Sequence, residues 1–263
     1  MFRLVSLNLN GIRSAAHKGL LPWIDSVGAD CMGVQELKAQ AGDLAGRFEH
    51  LGGMKGHFHC AQKKGYSGVG LYARKEPSDV RCGFGASEFD DEGRYVEARF
   101  DTPRRKLSIV SSYFPSGSAG EHRQQAKYRF LDAFWPHLQR LAAEREFILV
   151  GDINIAHREV DLKNWRSNQK NSGFLPAERA WMTRSLEELG LVDVHRRLRP
   201  HDTGEAYTWW SNRGQSWANN VGWRIDYHLA TPGIAAFART EHIYLERRFS
   251  DHAPLVIDYD FLL

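Results

Sequence analysis

The chain has few cysteines, no long apolar run and almost no excess of charge of either sign. Its three cysteines, Cys31, Cys60 and Cys82, are too few for a disulfide framework and lack metal-ligand spacing. No stretch approaches the ~18 apolar residues needed to cross a bilayer, and polar side chains interrupt the N-terminal residues where a signal peptide would be apolar. We therefore expect reduced thiols, a cytoplasmic location and no membrane partner.

The remaining composition is typical of a globular protein. Hydrophobic residues make up 42% of the 263 residues and charged residues 25%, which excludes a disordered chain. The 35 Lys and Arg against 32 Asp and Glu leave a net charge of +3, too small an excess to indicate nucleic-acid binding by itself. Because no linker-like segment interrupts the chain, we predict a single domain over residues 1–263, and we expect a monomer.

Short strands alternate irregularly with helices along the chain. β-Branched and aromatic content predicts strands at Phe2–Leu9, Cys31–Gln35, Ser67–Ala73, Tyr95–Phe100, Lys106–Tyr113, Phe147–Val150, Arg224–Leu229 and Pro254–Asp260. Helical spacing of apolar residues predicts helices at Leu20–Val27, Glu121–Glu144 and Pro176–Leu189. Pro136 lies inside the second helix and is expected to kink or divide it. This mixture favours two packed sheets flanked by helices over a Rossmann-type array.

Polar side chains follow the ends of the predicted strands. They are Asn8, Asn10, Glu36, Tyr113, Asp152, Asn154, Asp226, Asp251 and His252. Strand ends place functional groups on a rigid scaffold, so we expect these residues to converge on one rim. Crowded carboxylates need a cation, and oxygen donors without thiolates suit Mg²⁺ or Mn²⁺. Since such a cation neutralises charge on a phosphate while a carboxylate activates water, the pattern predicts metal-assisted phosphodiester hydrolysis.

At these residues the sequence resembles the exonuclease III / AP endonuclease family of DNA repair enzymes, within the wider endonuclease/exonuclease/phosphatase superfamily. The matching segments occur in the family's order: LNLNGIR (7–13), VQELK (34–38), GYSGVGL (65–71), EGRYVEA (92–98), SYFPSG (112–117), GDINIAH (151–157), SGFLPAER (172–179), NNVGWRIDYHL (219–229) and SDHAPL (250–255). The resemblance implies a DNase I-like, four-layered α/β sandwich, with the site at one end of two packed mixed β-sheets.

The resemblance also implies a metal site. Glu36 would be the principal ligand, and Asn8, Asn10 and Asp251 would complete its surroundings directly or through water. The implied cofactor is Mg²⁺, with Mn²⁺ as an alternative. Whether one or two ions act stays open.

The catalytic roles that the resemblance implies fall on five residues. Asp152 would position and activate the water, and Asn154 would orient both Asp152 and the phosphate. Asp226 and His252 would form a dyad that contacts the scissile phosphate, while Tyr113 would donate to a phosphate oxygen or to the leaving group. Which group deprotonates the water stays open.

The implied substrate is double-stranded DNA with an abasic site or a blocked 3′ end. Residues in matched or adjacent loops are candidates to bind it: Tyr66, Arg94, Asn168, Asn171, Trp209, Trp217, Trp223 and Arg224. Trp209 and Trp223 match positions that line the family's lesion pocket, where stacking on a base contributes ~1–3 kcal/mol.

The segment SNRGQSWANNVGW departs from the family's pattern. Trp217 stands near the place where the common form has an Asn-Ala-Arg run, so we expect an indole near the pocket instead of a cation. The balance between abasic-site incision and 3′-end processing stays open. The small residues Ser172 and Gly173 leave room for an extruded sugar and favour incision.

Two other functions remain as alternatives. A phosphatase of the same fold, acting on inositol phosphates or lipids, would share residues like Glu36, Asp152 and His252, but it would lack the GWRIDY and SGFLPAER contexts. A binding module with a decayed site is disfavoured because every expected site residue is present.

Overall fold

The structure is a computed structural model that describes residues 1–263, and most of its strands belong to two sheets. The strands are β1 (Phe2–Asn8), β2 (Cys31–Gln35), β3 (His50–Leu51), β4 (Met54–His59), β5 (Val69–Ala73), β6 (Asp79–Cys82), β7 (Tyr95–Arg99), β8 (Leu107–Tyr113), β9 (Glu146–Asp152), β10 (Val192–Asp193), β11 (Trp209–Trp210), β12 (Gly222–Trp223), β13 (Asp226–Ala230), β14 (Ala238–Ile243) and β15 (Leu255–Tyr259). The helices are α1 (Ile12–His17), α2 (Leu20–Val27), α3 (Ala41–Leu44), α4 (Ser87–Asp90), α5 (Glu121–Glu144), α6 (Trp165–Asn168), α7 (Pro176–Glu187), α8 (Val194–Leu198) and α9 (Pro232–Ala235).

Both large sheets are mixed. The seven-stranded sheet has the order β14-β15-β1-β2-β5-β4-β3, and the six-stranded sheet has the order β10-β13-β9-β8-β7-β6. The pairs β1–β2 and β8–β9 are parallel, whereas the other neighbours are antiparallel. The strands β11 and β12 form a separate two-stranded ribbon.

The apolar residues are divided among three main layers of core. A cluster of 26 buried residues, including Leu4 and Ile109, lies between the two sheets. A second cluster packs Trp23 of α2 against the outer face of the first sheet, and a third packs Phe130 of α5 against the outer face of the second. The result is a helix–sheet–sheet–helix order, so the predicted four-layered α/β sandwich is confirmed. No helix combines the length and apolar character that a membrane span requires.

Strand register explains why the predicted site residues converge. Tyr113 on β8 is paired with Asp152 on β9, and Asp152 is paired with Asp226 on β13. In the facing sheet, Asn8 at the end of β1 is paired with Gln35 at the end of β2. These residues therefore lie at the same end of both sheets.

The eight predicted strands and three predicted helices are present, with ends within two residues of the prediction. The strands β3, β4, β6, β10, β11, β12 and β14 were not predicted. Pro136 was expected to kink or divide its helix. Division is wrong, because α5 runs unbroken from Glu121 to Glu144, and a kink stays a prediction. Trp135 and Leu138 on either side of Pro136 are buried, and such tertiary packing supports a helix that local propensity would interrupt.

A buried histidine makes the fold sensitive to acid. His228 on β13 is fully buried, its Nδ1 lies 3.1 Å from the Tyr259 hydroxyl, and its Nε2 has no hydrogen-bond partner. Burial lowers the pKa of His228 from 6.5 to about 3. The folded state therefore contains the neutral ring. Its contribution to the free energy of unfolding is fully present above pH ~6.5 and decreases as the pH falls below that value.

We expect His228→Phe to make the free energy of unfolding less dependent on pH. Between pH 6.5 and 4.5 the free energy of unfolding should fall less steeply than in the wild type, by up to about 1.4 kcal/mol per pH unit, because one group no longer takes up a proton on unfolding. Urea denaturation at several pH values measures the slope. The exposed His17 provides the control variant His17→Phe, which should keep the wild-type slope, and an unchanged slope in His228→Phe would contradict the assignment.

Candidate active site

An open cavity of about 360 Å³ lies at the end of the two sheets where the predicted residues meet. Its lining comprises Asn10, Glu36, Lys38, Tyr113, Ser116, Ser118, Asp152, Asn154, Ser172, Gly173, Trp209, Trp223, Ile225, Asp251 and His252. Seven of the nine predicted strand-end residues are in this lining. Asn8 and Asp226 are not in the lining, and each is hydrogen-bonded to residues that are.

Asn8 connects the predicted principal metal ligand, Glu36, with the predicted water-activating carboxylate, Asp152. Its Nδ2 donates to Glu36 Oε1 and to Asp152 Oδ2, at 2.9 Å each. Its Oδ1 accepts from the Asn10 backbone N–H at 3.0 Å. The place of Asn8 in the metal surroundings, directly or through water, stays a prediction. The residue holds Glu36 and Asp152 at a fixed separation.

The acidic candidate metal centre is formed by Glu36 and Asp152. One potential ligand atom from each of Glu36, Asp152 and His252 lies within 4.8 Å of the others. The backbone of Glu36 is left-handed, with φ 49°, and its Oε2 is paired with Lys38 Nζ at 2.9 Å. Two neighbouring carboxylates, one of them already paired with an ammonium group, fit a hard divalent cation such as Mg²⁺ or Mn²⁺.

Asp251 and Asn10 lie on the other side of Glu36. Asp251 accepts from Asn10 Nδ2 at 2.9 Å and from the Trp209 indole Nε1 at 3.1 Å. Burial acts to raise the pKa of Asp251, but the charge of His252 and hydrogen bonds from Asn10 and Trp209 lower it below its ordinary value, so this carboxylate is ionised. The predicted metal surroundings of Glu36, Asn10 and Asp251 are therefore brought together in space.

His252 is held in its charged form. Its Nδ1 lies 2.8 Å from Asp226 Oδ2, and its Nε2 lies 3.7 Å from Asp152 Oδ2. Burial acts to lower the pKa of His252, but the carboxylates of Asp226 and Asp152 outweigh burial and raise this pKa to about 10. A protonated imidazole cannot ligate a metal, so we assign the cation to the carboxylates and leave His252 as a hydrogen-bond donor.

Asp152 is the carboxylate with the most strongly altered protonation. Burial raises the pKa of Asp152 to about 7, against the opposing charge of His252. Its Oδ1 accepts from the backbone N–H of Asn154 at 2.8 Å, and Asn154 Nδ2 donates to its Oδ2 at 3.1 Å. Asn154 has φ 56°, a left-handed conformation that Asn tolerates better than most residues.

Tyr113 rests on a buried arginine. Burial and the neighbouring Glu36 carboxylate raise the pKa of Tyr113 well above its ordinary value, which keeps the phenol as a donor. Arg94 lies under this ring at 4.8 Å and donates to the Tyr113 carbonyl at 3.0 Å and to the Tyr66 hydroxyl at 2.9 Å. The prediction that Arg94 contacts DNA is wrong, because its side chain is buried. Tyr66 is partly exposed, and its DNA contact stays a prediction.

Two indoles form the apolar wall of the cavity. Trp209 on β11 and Trp223 on β12 meet edge to face, with ring centroids 6.3 Å apart. Gly173 lies opposite, with φ +93°, and a methyl group there would lie 3.1 Å from the Trp223 ring. Both tryptophans line the cavity, and their role in a lesion pocket stays a prediction.

Arg224 is not at the surface where a DNA contact was predicted. Its guanidinium is buried between two carboxylates, with Nε 2.8 Å from Asp161 Oδ1 and Nη2 2.7 Å from Asp193 Oδ2. Its backbone N–H donates to the Asp161 carbonyl at 2.7 Å. This ion-pair network fixes the backbone between Trp223 and Asp226, so the predicted contact is corrected to a structural role.

Three other predicted DNA contacts lie outside the cavity. Trp217 packs edge to face on Trp210 at 4.4 Å, with the Arg248 guanidinium 4.5 Å from its ring. Its indole is not part of the cavity lining, and its contact with DNA stays a prediction. Asn168 and Asn171 are partly or fully exposed at the end of α6 and beyond it. They bond to each other at 2.9 Å, and their contact with DNA stays a prediction.

Sequence reasoning missed Lys38 as a site residue. Its ammonium pairs with Glu36 and donates to Asn10 Oδ1, which places a fixed positive charge at the cavity. The signal was present, because Lys38 lies two residues after Glu36 in the matched VQELK segment. Ser116 and Ile225 also line the cavity and lie in the matched segments SYFPSG and NNVGWRIDYHL, whereas Ser118 lies outside every matched segment.

Comparison with known proteins agrees with this fold and site. The Endonuclease/Exonuclease/phosphatase family matches residues 5–252, and the chain belongs to that family. A Bacillus subtilis exodeoxyribonuclease is 34% identical over 256 residues, which cover 96% of this chain and 97% of that protein. The zebrafish (Danio rerio) DNA repair nuclease APEX1 is 34% identical over 97% of this chain and 81% of its own length.

A solved structure agrees as well. An AP endonuclease from Archaeoglobus fulgidus superimposes with a TM-score of 0.88 and 27% identity, covering 99% of this chain and 100% of that one. The resemblance to the exonuclease III / AP endonuclease family is thus confirmed.

The corrected role of Arg224 has a measurable consequence. Arg224→Met should lower the free energy of unfolding by about 3–5 kcal/mol, because it removes the only ion-pair partner of the buried Asp193 and leaves the buried Asp161 with Arg196 alone. Urea denaturation measures the loss, and the exposed Arg213 supplies the control Arg213→Met, which should change stability by less than about 0.5 kcal/mol. A stable Arg224→Met variant with weakened DNA binding would restore the original prediction.

Proposed function

We propose that the protein is a divalent-metal-dependent DNA repair nuclease that hydrolyses phosphodiester bonds at abasic sites and at DNA 3′ ends. Its activities would be those of an AP endonuclease, a 3′–5′ exonuclease and a 3′-phosphodiesterase or phosphatase. The observation that carries the proposal is the convergence of Glu36, Asp152 and a charged His252 on one cavity. The nuclease relatives over nearly the full chain support it.

The proposed catalytic roles follow from the protonation states. Mg²⁺ or Mn²⁺, held by Glu36 with Asn8, Asn10 and Asp251 beside it, would neutralise charge on the phosphate. Asp152, whose pKa is about 7, would accept a proton from the attacking water near neutral pH.

The phosphate itself would be bound by donors. The charged His252, oriented by Asp226, would donate from Nε2 to a phosphate oxygen, and such preorganised donors stabilise developing charge. The Tyr113 phenol, protonated at neutral pH, would donate to a second oxygen or to the leaving group.

The shape of the cavity favours an abasic sugar as one substrate. Trp209, Trp223 and Ile225 form an apolar wall, and Gly173 leaves the opposite side without a side chain. A sugar without a base offers ring carbons that such a wall can cover. As further parts of the proposal, the protein acts as a single-domain monomer in the cytoplasm, with Mg²⁺ as its native ion and double-stranded DNA as its partner.

Cleavage of three 5′-labelled duplexes tests the substrate and the metal together. One duplex has an internal abasic analogue, one a recessed 3′ end and one a 3′-phosphate, and an inositol phosphate serves as the competing substrate. We expect cleavage of the DNA substrates with Mg²⁺, loss of cleavage in EDTA, and recovery when Mg²⁺ is restored. Activity that persists in EDTA, or turnover of the inositol phosphate alone, would refute the proposal.

The dyad predicts a separate effect on turnover. Asp226→Asn removes the charge that keeps His252 protonated, and we expect kcat on the abasic duplex to fall by about 10²–10⁴-fold with the fold retained. Circular dichroism and steady-state kinetics check both statements. Asp132→Asn, at an exposed position on α5, is the matched control and should keep wild-type kcat. An Asp226→Asn variant within a few-fold of the wild type would show that the dyad is misassigned.

A further inference from the structure

A cluster of buried polar side chains lies behind the cavity and outside the catalytic set. Lys127 on α5 and Glu178 on α7 form an ion pair, with Nζ 2.6 Å from Oε1 and both side chains 0% exposed. Gln124, one turn earlier on α5, donates from Nε2 to the same Glu178 oxygen at 3.0 Å. We call Gln124, Lys127 and Glu178 the buried clip.

Lys127 holds the loop that follows β9. Its ammonium donates to the backbone carbonyl of Asn154 at 2.7 Å. Asn154 has a left-handed backbone, and its side-chain amide donates to Asp152. The ammonium therefore fixes the peptide that carries one of the groups orienting Asp152.

Glu178 holds the loop opposite the tryptophan wall. Its Oε2 accepts from the backbone N–H of Gly173 at 2.7 Å and from that of Leu175 at 3.0 Å. The Gly173 carbonyl in turn accepts from the Ala156 N–H at 2.7 Å. Because Gly173 faces Trp223 across the cavity, the position of Glu178 sets the width of the cavity there.

Gln124 lies against the third loop. A methyl group on Gly117 would lie 1.9 Å from Gln124 Oε1 and 2.6 Å from Ser172 Oγ. This close approach fixes the position of the backbone between Ser116 and Ser118, which both line the cavity. All three members of the buried clip thus contact a loop that forms the cavity.

The charges in this cluster are not explained by stability alone. Burial lowers the pKa of Lys127, and Glu178 acts against that shift. A buried ion pair often adds no more stability than apolar residues of the same volume. What the pair supplies is directed hydrogen bonds to three backbone groups, one on Asn154, one on Gly173 and one on Leu175.

We propose that Lys127 and Glu178 are positioning residues that set the placement of Asn154 and Gly173, and with it turnover at the cavity. The link to turnover rests on the nuclease function proposed above. The link to loop geometry does not, and it can be measured without a substrate.

Three variants test the proposal with two readouts. Lys127→Met removes the ammonium and keeps the length of the side chain, and Lys127→Met/Glu178→Gln also removes the carboxylate charge left behind. Arg145→Met is the control, because Arg145 is also a buried side chain in an ion pair with Asp101 and lies at the opposite end of β9. The readouts are amide hydrogen exchange at residues 156, 173 and 175, and kcat and KM on the abasic duplex.

In Lys127→Met we expect hydrogen exchange at these amides to be at least about tenfold faster than in the wild type. We also expect kcat to be at least about tenfold lower with KM within threefold, because small misplacements of catalytic groups reduce turnover strongly. The double variant should recover thermal stability but not kcat. Arg145→Met should lose stability with both readouts unchanged.

Equal effects in Lys127→Met and Arg145→Met, or recovery of kcat together with stability in the double variant, would overturn the positioning role. If the wild type cleaves none of the duplexes, the nuclease proposal fails, and the exchange rates alone decide whether the buried clip positions the loops.

Discussion

The mutual repulsion of carboxylates at one end of the two sheets is the constraint on which the rest of the site depends. Glu36 and Asp152 share a single donor in Asn8, and Asp226 and Asp152 lie on either side of His252. Without compensation these acids would take up protons or separate. The protein supplies compensation from Lys38, from the charged His252 and from amide donors, and it leaves a cavity beside Glu36 and Asp152 whose chemistry suits a divalent cation.

Two buried ion-pair systems support that arrangement from behind. The guanidinium of Arg224 fixes the backbone between Trp223 and Asp226 through Asp161 and Asp193. The buried clip of Gln124, Lys127 and Glu178 fixes the loops on the other side. In both systems a charged side chain far from water satisfies backbone or carboxylate groups that would otherwise be unpaired, and an unpaired buried polar group is costly. The catalytic side chains therefore stand on loops with little freedom to move.

The errors of sequence reasoning concern the cationic residues. Arg94 and Arg224 lie in segments that match a DNA-binding family, but an arginine that binds phosphate and one that pairs with a buried aspartate look alike in sequence. Only burial distinguishes them, and burial depends on residues such as Asp161 and Asp193 that are 63 and 31 positions away from Arg224. The packing of Trp217 on Trp210 is likewise not visible in the order of residues.

The sequence by itself determined eight of the strands, the three longest helices, the two-sheet class and the strand-end residues that converge, because apolar periodicity and polar residues at strand ends are local properties. It also identified the family, because nine short segments occur in a fixed order. Only the tertiary structure decided which of these residues face the cavity and which lie behind it. It also decided that His252 is charged and that Lys127 and Glu178 pair out of contact with water. These are properties of contacts between distant segments, whose distances and dielectric surroundings exist only once the chain has folded.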